Sequence, residues 1–207
     1  MHINEQKATS GNTKTLLVLL HGLGSNGDDL FSLVPFLARH LPDTHFFSPD
    51  AIEPYDMAPF GYQWFSLQDR DEQVLRSELE RVSGKVQQMI KEKAESLGLG
   101  LEDVVLLGFS QGTMTSLYLA LSSDVGYKAV IGFSGAFIKP SVVLQQKTPI
   151  CLIHGIDDDV LAHDSMIKAE KILGELGINV ETLSVPHLSH GIDMQGLEKA
   201  VSFLRML

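Results

Sequence analysis

Apolar, strand-like stretches recur along the chain at 15–21, 45–48, 103–107, 128–133, 149–154 and 179–184. The clearest, "TLLVLLH" and "DVVLL", are continuous rather than alternating, the mark of a strand covered on both faces. Between most of them lie helical patterns. The longest predicts a helix over 71–97, with Leu75, Leu79, Val82, Val86, Met89 and Ile90 at helical spacing and the glycines of "LGLG" as its C-terminal stop. Further helices are predicted after Gly27, Ser110, His163 and Asp193. Strands alternating with helices predict an α/β fold, a mostly parallel central sheet with helices on both faces. No repeat or linker divides the chain, so one domain over 1–207 is expected, with residues 1–14 either partly flexible or an edge strand. The stretch 51–70 is irregular, holding Pro54, Pro59 and a cluster of aromatic residues. A loop of that length in a compact domain is often functional.

Charge changes the picture by exclusion. Against 16 Lys and Arg stand 26 Asp and Glu, a net charge of −10 over 207 residues. Nucleic acid and anionic membrane both require basic patches, so neither is expected as a principal partner. A single cysteine, Cys151, leaves no intrachain disulfide and no multi-cysteine metal site. No apolar run approaches the roughly 20 residues of a membrane span, and the first residues, "MHINEQKATSGNTK", are polar. The expectation is a reduced, cytoplasmic protein without stable membrane insertion, metal or cofactor.

Two glycine motifs carry chemistry. Gly108-Phe109-Ser110-Gln111-Gly112 fits G-x-S-x-G, placed between a buried strand and a helix. A sharp turn there lifts a serine out of the sheet as a nucleophile, and the glycines leave room for it. Such a serine needs an acid and then a histidine further along the chain. Asp157, Asp158 and Asp159 follow the strand ending at His154-Gly155, and His187 and His190 share the loop after the last strand. The second motif is Gly22-Leu23-Gly24-Ser25-Asn26-Gly27, which fits G-x-G-x-x-G, with Asp50 downstream where a ribose-binding acid stands in dinucleotide sites. Asp28 and Asp29 oppose that reading, because their carboxylates repel a pyrophosphate at the helix start.

Taken together, "LLHGLGSNGDDL", "MAPFGYQWFSL", "LLGFSQGTM", "GFSGA", "IHGIDDDV" and "SHGID" resemble the carboxylesterase/phospholipase family of α/β-hydrolases, the group that includes the acyl-protein thioesterases. The resemblance runs from Leu16 to Leu207. It implies an α/β-hydrolase fold without a large lid domain, a nucleophile at Ser110, an acid at Asp158 and a base at His190. It also implies an oxyanion hole formed by the backbone N–H groups of Leu23 and Gln111. Many acyl-protein thioesterases carry a small residue where this chain has Thr113, and "GFSQGTM" is more similar to a bacterial esterase branch.

The resemblance implies a serine hydrolase acting on carboxylic ester or thioester bonds of small to medium acyl substrates through an acyl-enzyme. Lysophospholipase or acyl-protein thioesterase activity is the alternative, and a non-catalytic ligand-binding protein on the same fold a more remote one. Trp64 and Phe65 match the family's aromatic pair and are expected to flank the substrate, while Met57 and Phe60 either line an acyl pocket or pack onto the core. A homodimer is a further implication of the resemblance. Because the donors in the oxyanion hole are backbone groups, side-chain changes at Leu23 or Gln111 are expected to cost little.

Overall fold

The computed structural model describes residues 2–144 and 147–207. Strand β2 (Thr15–Leu20) forms because six successive apolar or β-branched residues suit a pleated surface buried on both sides. Its alternate side chains go opposite ways. Leu16, Val18 and Leu20 join one core layer, and Leu17 and Leu19 join the other. Strand β6 (Val104–Phe109) divides likewise, with Val104 and Leu106 on the first side and Val105 and Leu107 on the second.

The sheet has seven strands in the order β1-β3-β2-β6-β7-β8-β9. The others are β1 (Ile3–Gln6), β3 (Thr44–Pro49), β7 (Ala129–Phe133), β8 (Ile150–Gly155) and β9 (Val180–Val185). All neighbours are parallel except β1, which runs antiparallel along β3. The first residues therefore supply the edge strand. Its ends are tied down where the His2 N–H donates to Asp50 at 2.8 Å and Lys93 donates to Glu5 at 2.6 Å.

Helices α3 (Glu72–Ser96), α4 (Gln111–Ser122) and α5 (Asp164–Glu175) cover one face. Helices α1 (Gly27–Phe31), α2 (Val34–His40) and α6 (Met194–Leu204) cover the other. Helix α3 buries Leu75, Leu79, Val82, Val86, Ile90 and Ala94, one stripe at spacings of three and four. Asp71 caps its start by accepting the N–H groups of Gln73 and Val74. At its end Gly98 sits at φ +73°, and the Leu99 N–H turns back to the Ala94 carbonyl at 3.0 Å.

Helix α2 is absent from the expectations above, because its seven residues are too few to display a period. The irregular 51–70 stretch contains a two-residue hairpin, β4 (Glu53–Pro54) with β5 (Tyr62–Gln63). No described helix is long and apolar enough to cross a membrane.

Candidate active site

Strand β6 delivers Ser110 to the carboxyl edge of the sheet, and α4 begins at the next residue. Ser110 has φ 52° and ψ −113°, a conformation that L residues rarely adopt. The turn closes because its flanking residues lack side chains. A Cβ on Gly108 stands 2.4 Å from the Gly112 carbonyl, and one on Gly112 stands 1.8 Å from the Leu20 carbonyl oxygen. The Ser110 N–H donates to the Phe133 carbonyl at 2.9 Å, and its own carbonyl accepts the Thr113 N–H at 3.0 Å. The strain is thus held by the next strand and by the helix it opens.

The three candidate acids separate by burial. Asp157 and Asp159 are exposed, whereas the Asp158 side chain has no accessible surface. The candidate bases separate likewise. His187 is 95% exposed beside Asp157 at 3.5 Å, while His190 Nδ1 meets Asp158 Oδ2 at 2.8 Å. The His190 ring also lies against the Phe109 ring, with centroids 4.9 Å apart. Burial works to raise the Asp158 carboxyl, but the Leu161 N–H, the His190 ring and the Val160 N–H outweigh it and hold the group below the usual carboxylate range. Asp158 is therefore an anion that fixes His190 by Nδ1, and Nε2 is the ring atom left to take a proton.

Ser110 and His190 line one cavity of about 550 Å³ together with Gly22 and Leu23. Its remaining wall is largely apolar, with Leu67, Leu75, Met114, Ala136, Ile138, Val160 and Leu161, and Asp29 and Arg70 as its charged members. Gln111 is the first residue of α4, a position whose N–H has no acceptor within the helix. The Leu23 N–H likewise has no acceptor among the described residues.

The loop carrying Leu23 is braced by His21, which is fully buried. Its Nε2 accepts the Ala51 N–H at 2.9 Å, so the ring hydrogen sits on Nδ1 and is donated to the Gly22 carbonyl at 2.7 Å. In a trans peptide the C=O and N–H point opposite ways. A Gly22 carbonyl turned to His21 therefore turns the Leu23 N–H away from it. Burial pushes the His21 pKa down, against the opposing pull of the Gly22 carbonyl, which keeps this tautomer neutral.

Trp64 and Phe65 do not flank the cavity: both side chains are fully buried and neither belongs to its lining. Trp64 Nε1 donates to the His21 carbonyl at 2.9 Å, so the indole braces the Leu23 loop from beneath. Its ring is also in tilted contact with the His21 ring, at 5.4 Å. Met57 and Phe60 are exposed, at 68% and 74%, and line no part of the cavity. Part of the lining instead comes from Leu67 and Arg70 on the approach to α3, Leu75 in its first turn, and Ala136 and Ile138 in the stretch after β7.

The dinucleotide reading fails on the same atoms that suggested it. The Gly27 N–H donates to buried Asp50 at 3.1 Å, and the Asp28 N–H donates to the Asn26 side chain at 2.9 Å. The helix start is already capped, and the acid offered for a ribose is spent on it. A Cβ on Gly27 stands 2.5 Å from the Ser48 carbonyl oxygen, so this glycine serves helix-to-strand packing.

Residues 2–207 match the phospholipase/carboxylesterase family. The chain belongs to that family. Its mostly parallel, helix-flanked sheet is the α/β-hydrolase arrangement, and membership makes it a hydrolase of carboxylic esters. The crystal structure of esterase PE8 superposes with a TM-score of 0.91 at 35% identity, over 98% of this chain and 97% of that one. Esterase YpfH of Escherichia coli is 29% identical over 191 residues, which are 92% of this chain and 82% of its own length. Acyl-protein thioesterase 1 of Neurospora crassa is 25% identical, over 95% of this chain and 88% of its own length.

Proposed function

We propose that the chain hydrolyses carboxylic esters of small to medium acyl groups through a Ser110–His190–Asp158 triad and an acyl-enzyme. The observation that carries this reading is the 2.8 Å contact between His190 Nδ1 and Asp158 at the wall of a cavity that Ser110 also lines. Ser110 Oγ attacks the acyl carbon while His190 Nε2 takes its proton. His190 then returns that proton to the leaving alcohol, and Asp158 supports the imidazolium while it exists. Water repeats the sequence on the acyl-Ser110 ester and releases the acid. The N–H groups of Leu23 and Gln111 receive the oxyanion in both halves, where one such donor is worth about 3–4 kcal/mol.

The cavity volume supports a small-molecule substrate, falling within the roughly 300–1,000 Å³ of ordinary ligand pockets. Its apolar wall suits a neutral acyl chain. Thioesters are the second substrate class, favoured by relatives named acyl-protein thioesterases and requiring no change in the machinery.

The test is turnover of nitrophenyl esters from acetate to octanoate, and of matching thioesters, with Ser110→Ala as the blank. Activity should fall by about 10³-fold or more in that variant, and a fluorophosphonate should label the parent protein once, at Ser110. Wild-type turnover in Ser110→Ala sinks the proposed nucleophile.

A further inference from the structure

Asp158 faces two imidazoles, and the proton transfer proposed above uses one of them. Its Oδ1 accepts the N–H groups of Val160 at 3.0 Å and Leu161 at 2.8 Å. Its Oδ2 stands 2.8 Å from His190 Nδ1 and 3.0 Å from His154 Nε2. His154 lies at the end of β8 and is 1% exposed. The same Nε2 lies 2.8 Å from the Leu161 carbonyl oxygen. A carbonyl oxygen and an ionised carboxylate only accept, so Nε2 carries a hydrogen and the neutral ring is held as one tautomer. That N–H donates to Leu161 and turns its positive end to Asp158 Oδ2. Leu161, a cavity residue, is thereby gripped at both its N–H and its carbonyl.

We propose that His154 is a positioning residue, whose Nε2–H holds the Asp158 carboxylate and the 158–161 turn so that Oδ2 faces His190. The inference rests on the Ser110–His190–Asp158 reading. An N–H at Oδ2 draws part of the carboxylate charge to itself, so His190 feels a weaker anion than Asp158 alone presents. With that donor gone, Asp158 stabilises the His190 imidazolium more strongly and keeps it protonated to higher pH. A protonated His190 cannot accept the Ser110 proton, so the acid limb of kcat/KM moves upward.

Burial holds His154 below the ordinary histidine range against the pull of the Leu161 carbonyl and the Asp158 charge, and His163, edge-on at 5.9 Å, adds to the lowering. The other charged groups about the pair are Asp29 and Arg70 on the cavity wall and the exposed Asp157, Asp159 and His187. All are unchanged in the variants that follow.

The variants are His154→Leu, which removes the donor, and His154→Gln, whose amide nitrogen reaches about as far as Nε2. In His154→Leu, kcat should fall roughly tenfold or more, the scale on which outer partners of a functional histidine act. KM should stay within about twofold and the acid-limb midpoint should rise, while His154→Gln restores both kcat and midpoint. An unmoved midpoint in folded His154→Leu overturns the proposal. Nitrogen-15 NMR of the histidines in the unaltered protein reads the tautomer whether or not that variant folds. The hydrogen should be on His154 Nε2, and finding it on Nδ1 overturns the proposal as well. Turnover surviving Ser110→Ala sinks the triad itself, whereas an unmoved acid limb beside an inactive Ser110→Ala sinks only the role of His154.

Discussion

The side chain of Gln111 clamps the backbone at Trp64: its Oε1 accepts the Trp64 N–H at 2.9 Å, while its Nε2 donates to the next carbonyl, that of Phe65, at 2.6 Å. Gln111 is fully buried. The residue whose N–H is proposed for the oxyanion therefore also pins the segment whose indole holds the His21 carbonyl. This reverses the sequence-based expectation that changes to its side chain are mild. Gln111→Ala should cost about 1–3 kcal/mol for each of the two backbone groups it orphans, and kcat should fall with it. Leu23→Ala, which removes no polar partner, should lose less on both measures. Urea unfolding and kcat/KM of the two variants check the order; equal losses refute it.

Thr113 and Gly132 should behave as a coupled pair. A Cβ on Gly132 stands 2.6 Å from Thr113 Cγ2, and the Thr113 hydroxyl bridges the Gly108 and Phe133 carbonyls at 2.8 Å each. Gly132→Ala should therefore destabilise by about 1–3 kcal/mol through overpacking. Thr113→Ser keeps the hydroxyl between the two carbonyls and removes the methyl group in the way. The double variant should recover part of the loss, a coupling of about 1 kcal/mol in a double-mutant cycle. Additive losses contradict the assigned clash.

Acid should weaken the fold in two stages. Burial lowers the pKa values of His21, His45 and His154 from an ordinary 6.5. Between the folded and unfolded values the unfolded chain binds more protons, so stability rises with pH there. The contribution is complete above about pH 6.5 and declines as pH falls towards the folded values. A second stage comes from carboxyls held low in the fold, such as Glu78 beside Arg81 and the buried Asp158. Their contribution is present above the unfolded values of 4.5 and 3.8 and is lost as pH drops through the folded ones. The Tm should thus decline below about pH 6.5, before any carboxyl titrates. A Tm that is flat from pH 7.5 to 5 contradicts the burial of these rings as neutral species.

Much of this was legible in the sequence because it depended on local pattern. The buried strands β2, β6, β7 and β8 announce themselves as apolar runs, and α3 as a stripe from Leu75 onward. The elbow at Ser110 is legible because only glycine tolerates the contacts at positions 108 and 112. What the residues alone left open were choices set by burial. Three aspartates and two histidines sit in chemically similar loops, and only folding puts Asp158 and His190 together. Trp64 and Phe65 misled because an aromatic side chain in a loop serves a pocket or a brace equally well in sequence. What distinguishes them is the His21 carbonyl and the Gln111 amide, 43 and 46–47 residues away along the chain. The cavity wall was illegible for the same reason: Leu67, Met114 and Ile138 meet only across elements.

Cys151 should be chemically silent in the folded protein. It lies in β8 with no exposed surface, its side chain in the core layer beneath α6. Burial pushes its thiol up to about 12. Thiolate is the reactive form, and four units below that value it is roughly one part in 10⁴. A disulfide reagent at pH 8 should therefore react slowly with the native protein, at the pace of local opening, and promptly in denaturant, one thiol per chain. Pretreatment with iodoacetamide should leave ester hydrolysis intact. Cys151→Ser should cost about 1–3 kcal/mol by placing a hydroxyl in an apolar layer, with little change in kcat of the folded fraction. Rapid stoichiometric labelling of the native chain, or loss of activity on alkylation, contradicts the placement of Cys151 in the sealed core and away from the chemistry.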